Sequence, residues 1–369
     1  MPCATTLYPV VDTTAGLNVL DNGDFRARVA TVIQSFIAEH REIVANINQN
    51  VLPLIDSLSQ MMSSGKRLRP AFAYWGYRAV GGSDSNALVR AVTSLEFLQA
   101  SALIHDDVID NSDSRRGMPA VHRQFESLHG ASGWNGSAAQ FGIGAAVLLG
   151  DLSLSWADEL IYQSGLPSAE TSRGKSIYDI MRTELMIGQY LDTLEQARQT
   201  ADIDTIRQVM IHKSAKYTIE RPLHFGAAMA GGSTEQMTAL THYGIPLGVA
   251  FQLRDDVLGV FGNPDETGKP AGDDLREGKR TMLIARTLHA CSAAEAETLR
   301  QNLGNPDLND GEIEKLRDII VSSGALDIVE ADIARGRDYA LAALNEAPFS
   351  DEAIYVLSNL AVAATDRAH

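Results

Sequence analysis

Cysteine is nearly absent. The 369-residue chain has two, Cys3 and Cys291, which is too few for a disulfide framework and shows no metal-site spacing. A reducing cytosol fits, and the cytoplasm is the expected location. Basic residues are also scarce: 31 Lys and Arg against 47 Asp and Glu leave a net charge of −16. That excludes nucleic acid as a partner, because binding it needs a basic face. It also means that any phosphate site must concentrate its few cations locally. The longest apolar run, Phe141 to Gly150, falls well short of the roughly 20 residues a spanning helix needs, so no stable membrane anchor is expected. No basic stretch precedes an apolar one at the N-terminus, the first basic residue being Arg26, and no signal peptide is expected. Alternating strand patterns, internal repeats and Pro- or Ser-rich linkers are missing too.

Helical periodicity is abundant. The chain is 45% hydrophobic, enough for a sizeable core, and Val29, Val32, Ile33, Phe36 and Ile37 set the helical spacing early. The pattern predicts a Thr-rich N-terminal tail over 1–22 and a single all-α domain over 23–369, with ten or more helices around a central cavity. Predicted helical stretches include 24–50, 84–110, 138–162 (apolar, rich in small residues and therefore central), 168–198, 202–231 with a kink at Pro222, 235–261, 274–290, 294–303, 311–345 broken near Gly324, and 349–365. The stretch from His129 to Gly136 reads as a loop.

The chain is organised around LQASALIHDDVIDNSDSRRG, Leu98 to Gly117. An apolar helix runs into Asp106, Asp107 and Asp110, and Arg115 and Arg116 follow. Asp106 and Asp110 share a helical face at i,i+4, and carboxylates ending a buried helix need cations. Far downstream, FQLRDDVLG places Gln252 and Asp255 on one face with Asp256 beside them, and Lys269 and Lys279 follow. Two such clusters read as a metal–diphosphate clamp, suited to Mg²⁺, which takes one or two carboxylates and leaves its other positions to water and phosphate. SSGKRLRP, from Ser63, puts Lys66, Arg67 and Arg69 in a turn at a helix N-terminus, a place that favours anions. Asp273 and Asp274 look like a helix cap and first turn. His105 reads as satisfying a local hydrogen bond, and Lys213, taken alone, as a snorkelling surface lysine.

Together GKRLRP at 65–70, DDVID at 106–110, RRG at 115–117, GQYLD at 188–192, HKS at 212–214, FQLRDD at 251–256, GK at 268–269 and GKR at 278–280 resemble the trans-isoprenyl diphosphate synthases, the polyprenyl synthetase family, with a layout similar to bacterial geranylgeranyl diphosphate synthases. The resemblance implies the isoprenoid synthase fold, a homodimer, and a prenyltransferase that joins isopentenyl diphosphate to allylic diphosphates. It implies that Asp106, Asp110 and Asp255 bind three Mg²⁺ ions, with Asp107 and Asp256 in support. Arg115, Lys213, Ser214, Gln252 and Lys269 would hold the allylic diphosphate, with Lys279 nearby. Lys66, Arg69, Gln99 and Arg116 would hold isopentenyl diphosphate. Gln99 stands where many members have His, Ser214 where Thr is usual, and Gly259 where the second motif ends in Asp. In the family the residues four and five before the first Asp often form the floor of the product tunnel. Here they are Ala102 and Ser101, both small, with Phe97 one turn deeper, about 5.4 Å, which points to a C20 product. The alternatives are a farnesyl or longer-chain synthase, a class I terpene cyclase, and a non-catalytic partner subunit of a prenyl synthase.

Overall fold

The computed structural model describes residues 24–198, 202–263 and 272–366. The predicted tail over 1–22 and Lys269 lie outside the described residues. Helix α1 (Phe25–Ile47) buries the stripe Phe25, Val29, Ile33, Phe36 and Ile37, the periodicity visible in the sequence. A 3₁₀ turn (Gln49–Val51) leads to α2 (Leu52–Met61), whose first turn holds Pro53. Helix α3 (Leu68–Ala79) and helix α4 (Asn86–Ile109) follow. The Ser85 side chain caps α4 by accepting from the Leu88 amide. Helix α4 is apolar nearly all round, so it is interior. Then come α5 (Val121–Ser132), α6 (Ala138–Tyr162) and α7 (Ser168–Arg198).

Helix α8 (Ile203–Val209) passes into a π-helical segment (Met210–Glu220) and then α9 (Arg221–Ala230), with Pro222 in its first turn. The break expected at Pro222 thus takes the form of a change of pitch just before it. Glycines flank the π segment on both sides: a Cβ on Gly188 would lie 2.6 Å from the Lys213 nitrogen, and one on Gly248 would lie 2.6 Å from Ala215 Cα. Only glycine permits these backbones to meet so closely. Helix α10 (Thr234–Phe261) starts with a capping box between Ser233 and Gln236. The chain ends with α11 (Asp273–Glu277), α12 (Met282–Ala290), α13 (Ala293–Asn302), α14 (Asp310–Ser322), α15 (Ala325–Asn345) and α16 (Asp351–Thr365).

Two apolar clusters carry the packing. Helix α10 feeds both, Tyr243, Leu247 and Phe251 joining the larger one and Leu253, Val257 and Val260 the other. Among the described residues the architecture is all-α apart from one ladder, β1 (Ser114–Arg115) against β2 (Met118–Pro119). Its two turn residues, Arg116 and Gly117, have φ of 55° and 73°, the positive values of a tight I′ hairpin.

Several sequence expectations need correction. Helix α5 runs through Ser132, so half of the expected 129–136 loop is helical. The expected helix 274–290 is two helices, parted where Gly278 takes φ of 77°. Helix α6 is not central: one face packs inward through Ala146, Leu149 and Trp156, while Phe141, Val147 and Leu148 are exposed. Although no unbroken apolar run is long, α4 and α6 are each long and apolar enough to cross a membrane by length and composition; α4 is mostly buried in the fold and α6 is not.

Candidate active site

Helix α4 delivers its carboxylates where it ends. Asp106 and Asp107 close the helix, and Asp110 is its C-cap. Helix α10 brings Gln252, Asp255 and Asp256 to face them, and both lead into one cavity of about 1030 Å³. Asp106, Asp255 and Asp256 line it, and so do the cations Lys66, Arg69, Arg115, Lys213 and Lys279. Gln99, Ser214 and Gln252 also reach it. Asp110 and Arg116 stand beside the cavity rather than in its wall; Arg116 donates to the Met61 and Ser64 carbonyls, both at 3.1 Å.

Most of the cations are paired with carboxylates. Lys213 sits 2.6 Å from Asp192 and 3.5 Å from Asp106, buried between them rather than snorkelling. Arg115 binds Asp107 and lies 3.8 Å from Asp106. Lys279 approaches Glu277 at 2.6 Å and Asp274 at 3.5 Å. Arg67 turns away from the cavity to bind buried Glu96. Its φ of 57° accompanies this reversal in the turn that carries Lys66 and Arg69 to the cavity. Arg69 differs: among the described residues it has no carboxylate partner, donates to Thr218 Oγ1 at 2.8 Å, and leaves its buried Nε without an acceptor.

These pairings sort the acids. Burial works against ionisation of Asp106, but Lys213, Lys279 and Arg115 more than offset it and hold its pKa below the usual value. Burial and then the Asp106 charge push Asp110 up to about 6. Burial, then Asp274 and Asp255, push Asp256 up to about 8, against a hydrogen bond from Gln252 at 2.8 Å. Asp256 is therefore largely protonated at neutral pH, and Asp106 is ionised.

The apolar end of the cavity is lined by Leu98, Ser101, Ala102, Leu154 and Leu185. Phe97 does not line it. It lies fully buried behind this wall, edge-on to Phe36 at 5.1 Å and to Trp156 at 6.4 Å.

Gly259 lines the cavity one turn beyond Asp255. A Cβ there would lie 1.9 Å from Asp274 Oδ2, so the Asp274 carboxylate occupies the space where a side chain at 259 would begin. Asp273 and Asp274, read as a helix cap and first turn, both stand in the first turn of α11 behind Gly272 as N-cap, and both line the cavity. Asp192, read from the sequence as a supporting or structural acid, and Tyr217, Thr218 and Glu277, which motif reading left without a role, are further polar residues of the site. Asp192 carried a signal, its shared face with Gln189 in GQYLD, whereas the other three carried none. His105, read as satisfying a local hydrogen bond, instead sits 3.3 Å from the Val147 carbonyl of α6, a contact between two helices.

Among the described residues no three acidic or imidazole groups stand close enough to cage a metal by themselves. One oxygen of Asp110, Oδ2, is buried without a partner, next to ionised Asp106. An ion satisfied by one or two carboxylates plus water and phosphate fits this donor set, which is the habit of Mg²⁺.

Acidic segments of two helices, several cations and apolar side chains thus share one cavity. Residues 53–320 match the Polyprenyl synthetase family, and the chain belongs to it. It is 38% identical to geranylgeranyl pyrophosphate synthase from Corynebacterium glutamicum, solved with isoprenyl diphosphate and magnesium, with a TM-score of 0.90 over 97% of this chain and 100% of that one. Geranylfarnesyl diphosphate synthase from Aeropyrum pernix is 31% identical over 291 residues, 76% of this chain and 85% of that protein. Octaprenyl diphosphate synthase from Haemophilus influenzae is 33% identical over 265 residues, 71% and 73% of the two chains. The chain is a prenyltransferase of this family. The relatives are named for different products, so kinship alone does not settle chain length.

Proposed function

We propose that this chain condenses isopentenyl diphosphate head-to-tail with dimethylallyl, geranyl and farnesyl diphosphates, giving mainly C20 geranylgeranyl diphosphate. The observation that carries this reading is the division of a single cavity. Cations paired with carboxylates surround the acidic motifs, Arg69 has no carboxylate partner among the described residues, and apolar side chains line the rest. Two anion sites beside one channel suit two diphosphates and one growing tail. A terpene cyclase needs only one of those sites, and the Asp106–Asp110 pair argues against a non-catalytic partner.

In this reading Asp106, Asp110 and Asp255 hold three Mg²⁺ ions, supported by Asp107 and Asp256. Once bound, Mg²⁺ supplies Lewis-acid charge that stabilises the departing diphosphate. Arg115, Lys213, Ser214, Gln252 and Lys269 hold the allylic diphosphate, with Lys279 beside them. Lys66, Arg69, Gln99 and Arg116 hold that of isopentenyl diphosphate. The allylic C1–O bond breaks with its electron pair leaving on diphosphate. The isopentenyl double bond attacks C1, forming the new C–C bond and moving the cation to C3. A C2 proton passes to an oxygen of the released diphosphate, and its electrons become the new double bond. The channel walls position the reacting carbons and exclude water from the cation.

Small Ser101 and Ala102, with Phe97 behind them, support C20 over C15. We also assign residues 23–369 to one domain, the chain to the cytoplasm, and its working form to a homodimer, for which the exposed apolar row on α6 is the supporting feature. The test is pyrophosphate release by the purified chain. It should require isopentenyl diphosphate, an allylic diphosphate and Mg²⁺ together, and chelation should abolish it. Release from the allylic diphosphate alone would favour the cyclase, and none under any condition would favour the non-catalytic partner.

A further inference from the structure

One side chain touches both Gln99 and Arg69, which line the cavity together. Tyr217, nearly buried in the π-helical segment, donates its phenol O–H to Gln99 Oε1 at 2.8 Å. The face of its ring carries the Arg69 guanidinium, 4.4 Å from the centroid. The next residue, Thr218, accepts from the same guanidinium at 2.8 Å. Between them, Tyr217 and Thr218 hold Arg69 on two sides and leave its buried Nε without an acceptor.

The amide of Gln99 has two unlike ends, an acceptor oxygen and a donor NH₂. Lys66 and Arg69 line the same cavity. Left to itself beside such cations, the amide would turn its oxygen toward them, presenting an incoming diphosphate with an acceptor, which repels it. A donor anchored on the far side prevents this. The Tyr217 hydroxyl takes up the oxygen and leaves the NH₂ for the anion. Burial holds the phenol well above its ordinary pKa, so it remains a donor throughout the neutral range.

We propose that Tyr217 is a positioning residue of the isopentenyl diphosphate subsite, its hydroxyl fixing Gln99 as a hydrogen-bond donor and its ring aiming Arg69 at the same phosphate. This rests on the functional reading above. It separates two duties: the hydroxyl serves Gln99, and the ring serves Arg69. Tyr217→Phe removes the first duty alone, while Tyr217→Leu removes both. A histidine at 99 would donate from its own ring N–H and would not need the tyrosine hydroxyl.

The test is steady-state kinetics with each substrate varied in turn, with thermal melts to confirm folding. Tyr217→Phe should raise KM for isopentenyl diphosphate roughly three- to tenfold, the effect of one hydrogen bond near a charged group, with KM for the allylic diphosphate and kcat within twofold of the parent. Gln99→Leu should match it, and the double variant should be no worse than either single one. In a Gln99→His background, Tyr217→Phe should change KM by less than twofold. Tyr217→Leu should raise KM for isopentenyl diphosphate further than Tyr217→Phe. Equal rises in both KM values, additive losses in the double variant, or no rescue by Gln99→His would overturn the proposal while leaving the function standing. A parent that does not consume isopentenyl diphosphate would instead overturn the functional reading itself.

Discussion

At Gly259 a missing side chain lets two parts of the site share one space. In the sequence the glycine reads as a carboxylate lost from the second motif. In the fold the position is filled by the carboxylate of Asp274, with Oδ2 only 1.9 Å from where a Cβ would stand. Gly259→Asp therefore displaces one acid to add another. We expect turnover to fall by tenfold or more, about 1.4 kcal/mol in the barrier, with partial recovery when Asp274→Gly is added. Unchanged or higher turnover in the single variant would mean that Asp274 yields freely and the carboxylates simply add. Asp256 makes a second prediction. Its folded pKa, near 8, lies above the ordinary value of 3.8, so the folded chain keeps a proton that the unfolded chain releases. That contribution to stability is complete below about pH 4 and is lost as pH rises toward 8. Asn does not titrate. In chelator, the Tm of Asp256→Asn relative to the parent should climb between pH 5 and pH 8, and a flat or falling difference would contradict the assignment. Single residues were legible where their neighbours in sequence are also their partners, as with Asp106 and Asp110. Lys213 was legible only through the motif resemblance and not from its own surroundings in sequence, because Asp106 and Asp192, which hold it, come from two other helices.

Among the elements, the helices were legible because burial stripes repeat at helical spacing, as in α1, and because their starts carry capping side chains such as Ser85 and Ser233. The π-helical segment was not, since its widened pitch is imposed by α7 and α10 pressing on it at Gly188 and Gly248. Nor was the hairpin that presents Arg115 and Arg116, because an arginine at positive φ is a poor turn signal. The α6 helix was placed too deep, because composition does not say which apolar face meets the core. In the proposed function the element that measures the product is α4, with rings from α1 and α6 behind it. Phe97 leans on Phe36 and Trp156, so removing it opens a pocket still floored by two aromatic rings. Phe97→Ala should lengthen the product by about one isoprene unit, one helical turn, and Ser101→Phe should shorten it toward C15. If both variants keep the parent distribution, α4 is not the ruler.

For the whole molecule, α6 leaves the apolar side chains Phe141, Val147 and Leu148 exposed. In the proposed homodimer a second copy of the chain would cover them. Leu148→Glu should shift the species seen by light scattering from dimer to monomer; a monomeric parent, or a variant that remains dimeric, would remove this face from the account. The central claim is that one cavity extends an allylic diphosphate by isopentenyl units and stops where the channel is floored. The most direct measurement gives the purified parent dimethylallyl diphosphate, labelled isopentenyl diphosphate and Mg²⁺, then separates the dephosphorylated products by chain length. The account predicts C20 as the dominant product. Dominant C15 or C25 and longer products would contradict the channel reading, and label recovered only as unextended isopentenyl alcohol would contradict the proposed reaction.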